Sequence, residues 1–126
     1  MAKILVADDE PDLRNLTRYT LEVDGHQVLL ARNGLEALET IRQERPDLVV
    51  LDVKMPRMDG FQVCEQMKED PLLREIPVIF LTAKGQTQDV ERGLSLGAAA
   101  YLLKPFSPED LLETVRVVLN REDSKA

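Results

Sequence analysis

Five side chains that could take part in phosphate and metal chemistry stand directly after short apolar stretches of the chain. They are Asp8, Asp9, Asp52, Thr82 and Lys104. The stretches before them show no polar alternation, which is typical of strands buried on both faces of a parallel sheet. Because the carboxyl ends of parallel strands meet at one edge of a sheet, we expect these side chains to converge on one small site.

Three carboxylates, one ammonium and one hydroxyl favour the binding of a divalent cation and a phosphoryl group. Carboxylates that lie close together repel one another, and a cation relieves that repulsion. Ligands that are all oxygen indicate Mg²⁺, which usually takes one or two carboxylates, several waters and a phosphate oxygen. The ammonium and the hydroxyl can then hydrogen-bond the other phosphate oxygens. The residue types therefore predict a magnesium-dependent phosphoryl site.

Each of these residues also has an ordinary structural explanation when it is taken alone. The acids at 8–10 could cap a helix that starts at Pro11, and Asp52 could simply end a strand. Thr82 could be a β-branched strand residue, and Lys104 a solvated surface lysine. Their joint placement at the ends of four strands favours the functional interpretation over these separate ones.

Apolar runs alternate with stretches of helical period along the whole chain. Short aliphatic and β-branched runs predict strands, whereas apolar residues that recur every three or four positions predict amphipathic helices. The predicted elements, in chain order, are β1 3–7, α1 11–24, β2 27–31, α2 34–45, β3 47–52, α3 59–69, β4 77–82, α4 87–96, β5 100–103 and α5 108–120.

Five βα units joined by right-handed crossovers predict a doubly wound α/β domain. Pro11 suits the first position of α1, and Ser107 suits the N-cap of α5. On α2, three apolar residues recur at helical spacing and are expected to face the core. These three residues are Leu35, Leu38 and Ile41.

Composition excludes several classes of function. The chain has 126 residues, which fit one domain, expected at 1–121 with a polar tail at 122–126. A net charge of −7 disfavours direct contact with nucleic acid or with an anionic membrane. The single cysteine, Cys64, and the single histidine, His26, exclude a disulfide framework and a clustered zinc site. Apolar runs of at most about six residues predict no membrane span, and a cytoplasmic location is expected.

With these residues in place, the chain resembles the receiver domain of two-component response regulators, the CheY-like family. The resemblance covers Lys3 to Leu119 and is specific in the combination of its motifs. These motifs are Ile4-Leu5-Val6-Ala7-Asp8-Asp9-Glu10, the stretch 47–60 from Asp47 to Gly60, Pro77-Val78-Ile79-Phe80-Leu81-Thr82-Ala83, Gly97-Ala98 and Lys104-Pro105-Phe106. The resemblance implies a flavodoxin-like sheet with strand order 2-1-3-4-5.

The resemblance also implies roles for the acids. Asp52 matches the aspartate that accepts the phosphoryl group and contributes to the metal site. Asp9 matches the acid that binds Mg²⁺ directly, and Asp8 the one that often acts through water. Lys54 matches the position whose backbone carbonyl is a metal ligand.

Three further positions carry implied roles in switching. Thr82 and Lys104 match the hydroxyl and the lysine that contact the phosphoryl group. Tyr101 matches the aromatic residue on β5 that changes rotamer when the Thr82 hydroxyl moves. The peptide bond between Lys104 and Pro105 is expected to be cis, which would aim the lysine into the site.

The implied function is a phosphorylation-dependent switch that is not an enzyme beyond its own phosphorylation and dephosphorylation. A sensor histidine kinase or a phosphotransfer protein would supply the phosphoryl group, and the α4-β5-α5 face would signal to a downstream protein or output domain. The sequence is compatible with a single-domain regulator and with the N-terminal part of a longer protein.

Two other functions use a similar fold. A magnesium-dependent phosphohydrolase of the haloacid-dehalogenase type also has an aspartate nucleophile, but it carries that residue after β1 in a DxD-type motif and usually has a lid domain. A flavodoxin needs a hydroxyl- and glycine-rich phosphate loop after β1, where this chain has Asp8, Asp9 and Glu10. The receiver is therefore the preferred interpretation.

The chain departs from receivers that dimerise through α4, β5 and α5. Those proteins use an acidic pair after the Gly-Ala motif and an arginine in α5. Here Ala99 and Ala100 replace the acids, and Thr114 stands at the α5 position, with Arg116 nearby. Because charged pairs set the register of such an interface, we expect no symmetric salt-bridged dimer of this type.

Overall fold

A computed structural model describes residues 1–83 and 87–125, with the side chains of residues 1–83 and 87–121. In these residues, strands and helices alternate as β1 Lys3–Ala7, α1 Pro11–Val23, β2 Gln27–Ala31, α2 Gly34–Glu44, β3 Leu48–Asp52, α3 Gly60–Glu69, β4 Val78–Ala83, α4 Thr87–Ser95, β5 Ala100–Lys104 and α5 Pro108–Lys125. None of the described helices is long and apolar enough to cross a membrane.

The five strands form one parallel sheet in the order β2-β1-β3-β4-β5. In the register, Val6 of β1 lies opposite Leu30 of β2 and Val50 of β3. The chain moves outward from β1 in one direction to β2 and in the other to β3, so a crevice opens beyond the carboxyl ends of β1 and β3. The predicted fold and strand order are confirmed.

Two apolar clusters cover the faces of the sheet. Successive side chains of a strand point to opposite faces, and in β3 all five residues are buried. Val49 and Leu51 pack in the cluster that includes α2 and α3, whereas Leu48 and Val50 pack in the cluster that includes α1 and α5. This double burial explains why the strand sequences are continuously apolar.

The helix ends follow local chemistry. Asp59 forms a capping box with Gln62 at the start of α3. Ser107 accepts a hydrogen bond from the Asp110 N–H at the start of α5, at 3.0 Å. Gly97 follows α4 with a φ of +83°, a conformation that side chains disfavour. Most helices and strands begin and end within one residue of the predicted positions.

Two expectations need correction. Helix α5 continues to Lys125 rather than ending at residue 120, because no glycine or proline follows Leu119 to stop it. Leu35 is 46% exposed, whereas Leu38 and Ile41 are buried. The buried positions of α2 are Gly34, Ala37, Leu38 and Ile41, so Leu35 lies beside the core stripe of this helix rather than in it.

Candidate functional site

The predicted site residues meet at the carboxyl edge of the sheet. Asp8 and Asp9 follow β1, Asp52 ends β3, Thr82 lies one residue before the end of β4, and Lys104 ends β5. The edge holds a cavity of about 270 Å³, and its lining residues are Asp9, Glu10, Asp52, Val53, Lys54, Thr82, Ala83, Asp89 and Lys104. Parallel pairing of β1, β3, β4 and β5 therefore brings the acids, the hydroxyl and the ammonium to one place.

The Lys104 ammonium is the electrostatic centre of this site. Its Nζ lies 2.8 Å from Oδ2 of Asp52, 3.3 Å from Oε1 of Glu10 and 3.5 Å from Oδ2 of Asp8. The Lys104–Pro105 peptide bond that follows is cis. One cation thus faces three carboxylates, and the site keeps an excess of negative charge.

The carboxylates of the site form a cluster that could hold a metal ion. One oxygen from each of Asp8, Asp9, Glu10 and Asp52 lies within 4.8 Å of the others. Asp8 is fully buried, its Oδ1 accepts from the Glu10 N–H at 3.0 Å, and its Oδ2 accepts no hydrogen bond from the described residues. This buried oxygen lies 3.5 Å from the Lys104 ammonium, and its place in an all-oxygen cluster fits Mg²⁺.

Burial shifts the ionisation of Asp52. Burial is the main cause that raises the pKa of Asp52 to about 6, the Lys104 ammonium acts to lower it, and the Asp8 carboxylate adds to the rise. Burial alone would lower the pKa of Lys104, but its hydrogen bond and ion pair with Asp52 outweigh that effect, so the pKa rises. The lysine therefore stays charged, whereas ionisation of Asp52 in the folded protein costs free energy.

The loop after β3 presents the Asp52 carboxylate to the cavity. The Lys54 N–H donates to Oδ1 of Asp52 at 3.4 Å, and the Gly60 N–H donates to the Val53 carbonyl at 2.9 Å. A Cβ atom on Gly60 would overlap the carbonyl oxygen of Asp52. Only glycine therefore lets α3 begin this close to the end of β3.

The predicted switch residues lie on the adjacent strands β4 and β5, and both contact α4. Thr82 is buried, and its hydroxyl donates to Oδ2 of Asp89 at 3.4 Å. The Tyr101 hydroxyl donates to the backbone carbonyls of Val90 at 2.7 Å and Asp89 at 3.2 Å. Thr82 lines the cavity, whereas Tyr101 contacts α4 and does not line it.

Sequence reasoning missed two acids of the site. Glu10 was assigned only to the acidic run before α1, but its side chain pairs with Lys104. The second is Asp89, which lines the cavity from α4. The run of acids gave a signal for Glu10. No sequence signal marks Asp89, because its place depends on how α4 packs beside β4.

One family matches most of this chain. The sequence model of the response regulator receiver domain covers residues 4–116. The chain belongs to the response regulator receiver domain family. A receiver domain acts in two-component signalling as a phosphorylation-based switch, and receiver domains bind Mg²⁺ at an acidic pocket of the kind that the four clustered carboxylates form here.

Similar proteins include transcriptional regulators about twice as long. The probable transcriptional regulator ycf27 of Pyropia yezoensis is 46% identical over 121 residues, which are 96% of this chain and 49% of that protein. The alkaline phosphatase synthesis transcriptional regulatory protein PhoP of Bacillus subtilis is 44% identical over 124 residues, 98% of this chain and 51% of that protein. The chain spans about half the length of these relatives.

Solved structures show the same receiver fold. A putative response regulator from Chloroflexus aurantiacus has a TM-score of 0.90 at 33% identity, over 94% of this chain and 98% of that one. The chemotaxis response regulator CheY4 of Vibrio cholerae has a TM-score of 0.88 at 35% identity, with the same coverage of the two chains.

We expect Asp52→Asn to stabilise the metal-free receiver at neutral pH. The folded-state pKa of Asp52 is about 6, above the ordinary 3.8. This group's stabilising contribution is therefore complete below pH 4 and is lost as the pH rises through about 6. In EDTA at neutral pH, denaturant titration should show a gain on the order of 1–3 kcal/mol in the free energy of unfolding.

The matched control is Glu39→Gln, which removes an exposed carboxylate from α2. It should change the free energy of unfolding by less than about 0.5 kcal/mol. Equal stabilities of Asp52→Asn and the native chain across this pH range would show that the buried carboxylate carries no such penalty.

Proposed function

We propose that this receiver accepts a phosphoryl group on Asp52, in a magnesium-dependent reaction, from a sensor histidine kinase or a phosphotransfer protein. The observation that carries the proposal is the position of the Asp52 carboxylate. It is buried at the end of β3, it pairs with the Lys104 ammonium at 2.8 Å, and it still opens onto the cavity. A carboxylate placed in this way can act as a nucleophile towards phosphorus.

The two oxygens of Asp52 have different surroundings. Among the described residues, the Lys104 ammonium donates to Oδ2, whereas Oδ1 accepts the long hydrogen bond from the Lys54 N–H at 3.4 Å. Oδ1 is therefore the freer oxygen to form the new O–P bond, while the bond between phosphorus and the donor's nitrogen breaks in line. The Lys104 ammonium then offers its remaining hydrogens to the phosphoryl oxygens.

The residues that would hold Mg²⁺ are Asp8, Asp9, Asp52 and the backbone carbonyl of Lys54. When bound, the ion supplies charge neutralisation for the phosphoryl oxygens. Asp8 is positioned for this role by its hydrogen bond from the Glu10 N–H, while its second oxygen accepts no hydrogen bond from the described residues and lies 3.5 Å from the Lys104 ammonium. Thr82 lines the same cavity and can donate its hydroxyl to a phosphoryl oxygen.

The signal would leave through α4, β5 and α5. Leu94 on α4 and Leu103 on β5 are 60% and 45% exposed, which offers a downstream protein or output domain apolar surface. We place the receiver unit at residues 1–121, in the cytoplasm. The relatives are transcriptional regulators, which supports this function over the alternative phosphohydrolase.

Acetyl phosphate with Mg²⁺ should add one phosphoryl group to the chain, seen as a mass gain in intact mass spectrometry. Asp52→Asn should abolish the gain, because no other carboxylate in the site is paired with Lys104 as closely. EDTA should abolish it as well. The exposed-acid variant Glu39→Gln should be modified like the native chain. Modification that persists in Asp52→Asn would reject the assignment.

Asp9→Asn should weaken Mg²⁺ binding by about tenfold or more, and Asp8→Asn by less, because a direct ligand contributes more than one that acts through water. The measurement is a calorimetric titration of the unphosphorylated chain. Asp12→Asn, which changes an exposed acid in the first turn of α1, is the control and should bind Mg²⁺ as the native chain does. Equal affinities of Asp9→Asn and the native chain would disprove direct coordination.

Activation should not produce a symmetric salt-bridged dimer through α4, β5 and α5. Thr114 donates its hydroxyl to the Asp110 carbonyl within α5, and Arg116 is paired with Asp24 at 2.8 Å, so neither offers the free cation of such an interface. Light scattering with beryllofluoride and Mg²⁺ tests for a dimer. A dimer that dissociates on Arg116→Ala but not on Arg42→Ala would contradict this prediction.

A further inference from the structure

Asp89 on α4 accepts hydrogen bonds from both predicted switch residues, Thr82 and Tyr101. Its carboxylate oxygen Oδ2 accepts from the Thr82 hydroxyl at 3.4 Å, and its backbone carbonyl accepts from the Tyr101 hydroxyl at 3.2 Å. Thr82 belongs to β4 and Tyr101 to β5. A single residue of α4 therefore receives hydrogen bonds from two adjacent strands of the sheet.

Asp89 also faces the cavity that holds Asp52. It lines that cavity together with Thr82 and Lys104. The Lys104 ammonium pairs with Asp8, Glu10 and Asp52, and no described basic side chain pairs with Asp89. Its only described side-chain hydrogen bond is the one from Thr82.

We infer that Asp89 is a positioning residue that holds the Thr82 hydroxyl on α4 in the unphosphorylated state and competes for it with the phosphoryl group. This inference rests on the proposed function of Asp52. A hydroxyl has one hydrogen, so a strong hydrogen bond from Thr82 to a phosphoryl oxygen forms at the expense of the long one to Asp89. Phosphorylation therefore breaks the side-chain link between β4 and α4.

The hydrogen bond between Thr82 and Asp89 is weak enough to be replaced by one to a phosphoryl oxygen. A donor–acceptor distance of 3.4 Å is longer than the roughly 2.7–2.8 Å usual for hydroxyl donors. A phosphoryl group carries about −1.5 to −2 charges, so its oxygens are the stronger acceptors. The same charge repels the Asp89 carboxylate across the shared cavity. Both effects move α4 away from Thr82.

The packing of Tyr101 transmits this change to β5. A Cβ atom on Gly93 would overlap the Tyr101 hydroxyl, so the absence of a side chain there lets the ring approach α4. The hydroxyl then reaches the carbonyls of Asp89 and Val90. When α4 moves, Tyr101 loses these acceptors together, and its side chain is free to take another rotamer.

The test is the affinity for beryllofluoride, which mimics the phosphoryl group on Asp52, measured by calorimetry with saturating Mg²⁺. Asp89→Ala removes the competing acceptor and should tighten binding by roughly three- to tenfold. Glu91→Ala is the matched control, because it removes an equal charge from an exposed position of the same helix, and it should bind as the native chain does. In a Thr82→Val background, Asp89→Ala should tighten binding by clearly less than it does in the native background, because only the relief of charge repulsion remains.

The outcomes separate this inference from the proposed function. A native chain that binds no beryllofluoride overturns both. Native binding with unchanged or weaker binding by Asp89→Ala overturns the inference alone, because a residue that merely stabilises the first turn of α4 would give that result. An equal gain in the Thr82→Val background would also overturn it, since the effect would then not pass through the Thr82 hydroxyl.

Discussion

The ion pair between Lys104 and Asp52 is the constraint on which the rest of this receiver depends. It joins the last residues of β5 and β3. Buried carboxylates with no cation nearby would be strongly destabilising. One ammonium makes the buried Asp8 and Asp52 tolerable, yet it does not neutralise them. The site therefore keeps an excess of negative charge that favours the binding of a cation.

The fold tolerates these buried charges because its stability comes from apolar burial on the two faces of the sheet. The two apolar clusters include the first four residues of β3, and the buried carboxylate of Asp52 takes the place of an aliphatic side chain at the end that faces the site. The Gly60 contact brings α3 against the carbonyl of that same residue. The sheet thus fixes the Asp52 backbone, so the side chain can be unfavourably placed without displacing the strand.

The sequence predicts most of this structure because its signals are local. Apolar runs identify the strands, and capping residues such as Ser107 identify helix starts. Asp52 and Lys104 could be placed together because parallel strands share one edge. Leu35 could not be placed, since its exposure depends on where α2 meets the sheet. Asp89 was missed for a similar reason, as its contact with Thr82 depends on the packing of α4.

Helix α4 is the element of this receiver most suited to move. Of its residues Thr87–Ser95, only Gly93 is buried, whereas α3 buries Phe61, Val63, Cys64 and Met67 along with Gly60. Helices with little buried apolar surface are the ones that open or shift at low free-energy cost. What holds α4 is therefore polar, and includes the hydroxyls of Thr82 and Tyr101 and the stacking of Arg92 over Phe61 at 4.6 Å. Such contacts respond to a new charge far more readily than an apolar core does, so a change at Asp52 can reach the surface through α4 while the sheet stays in place.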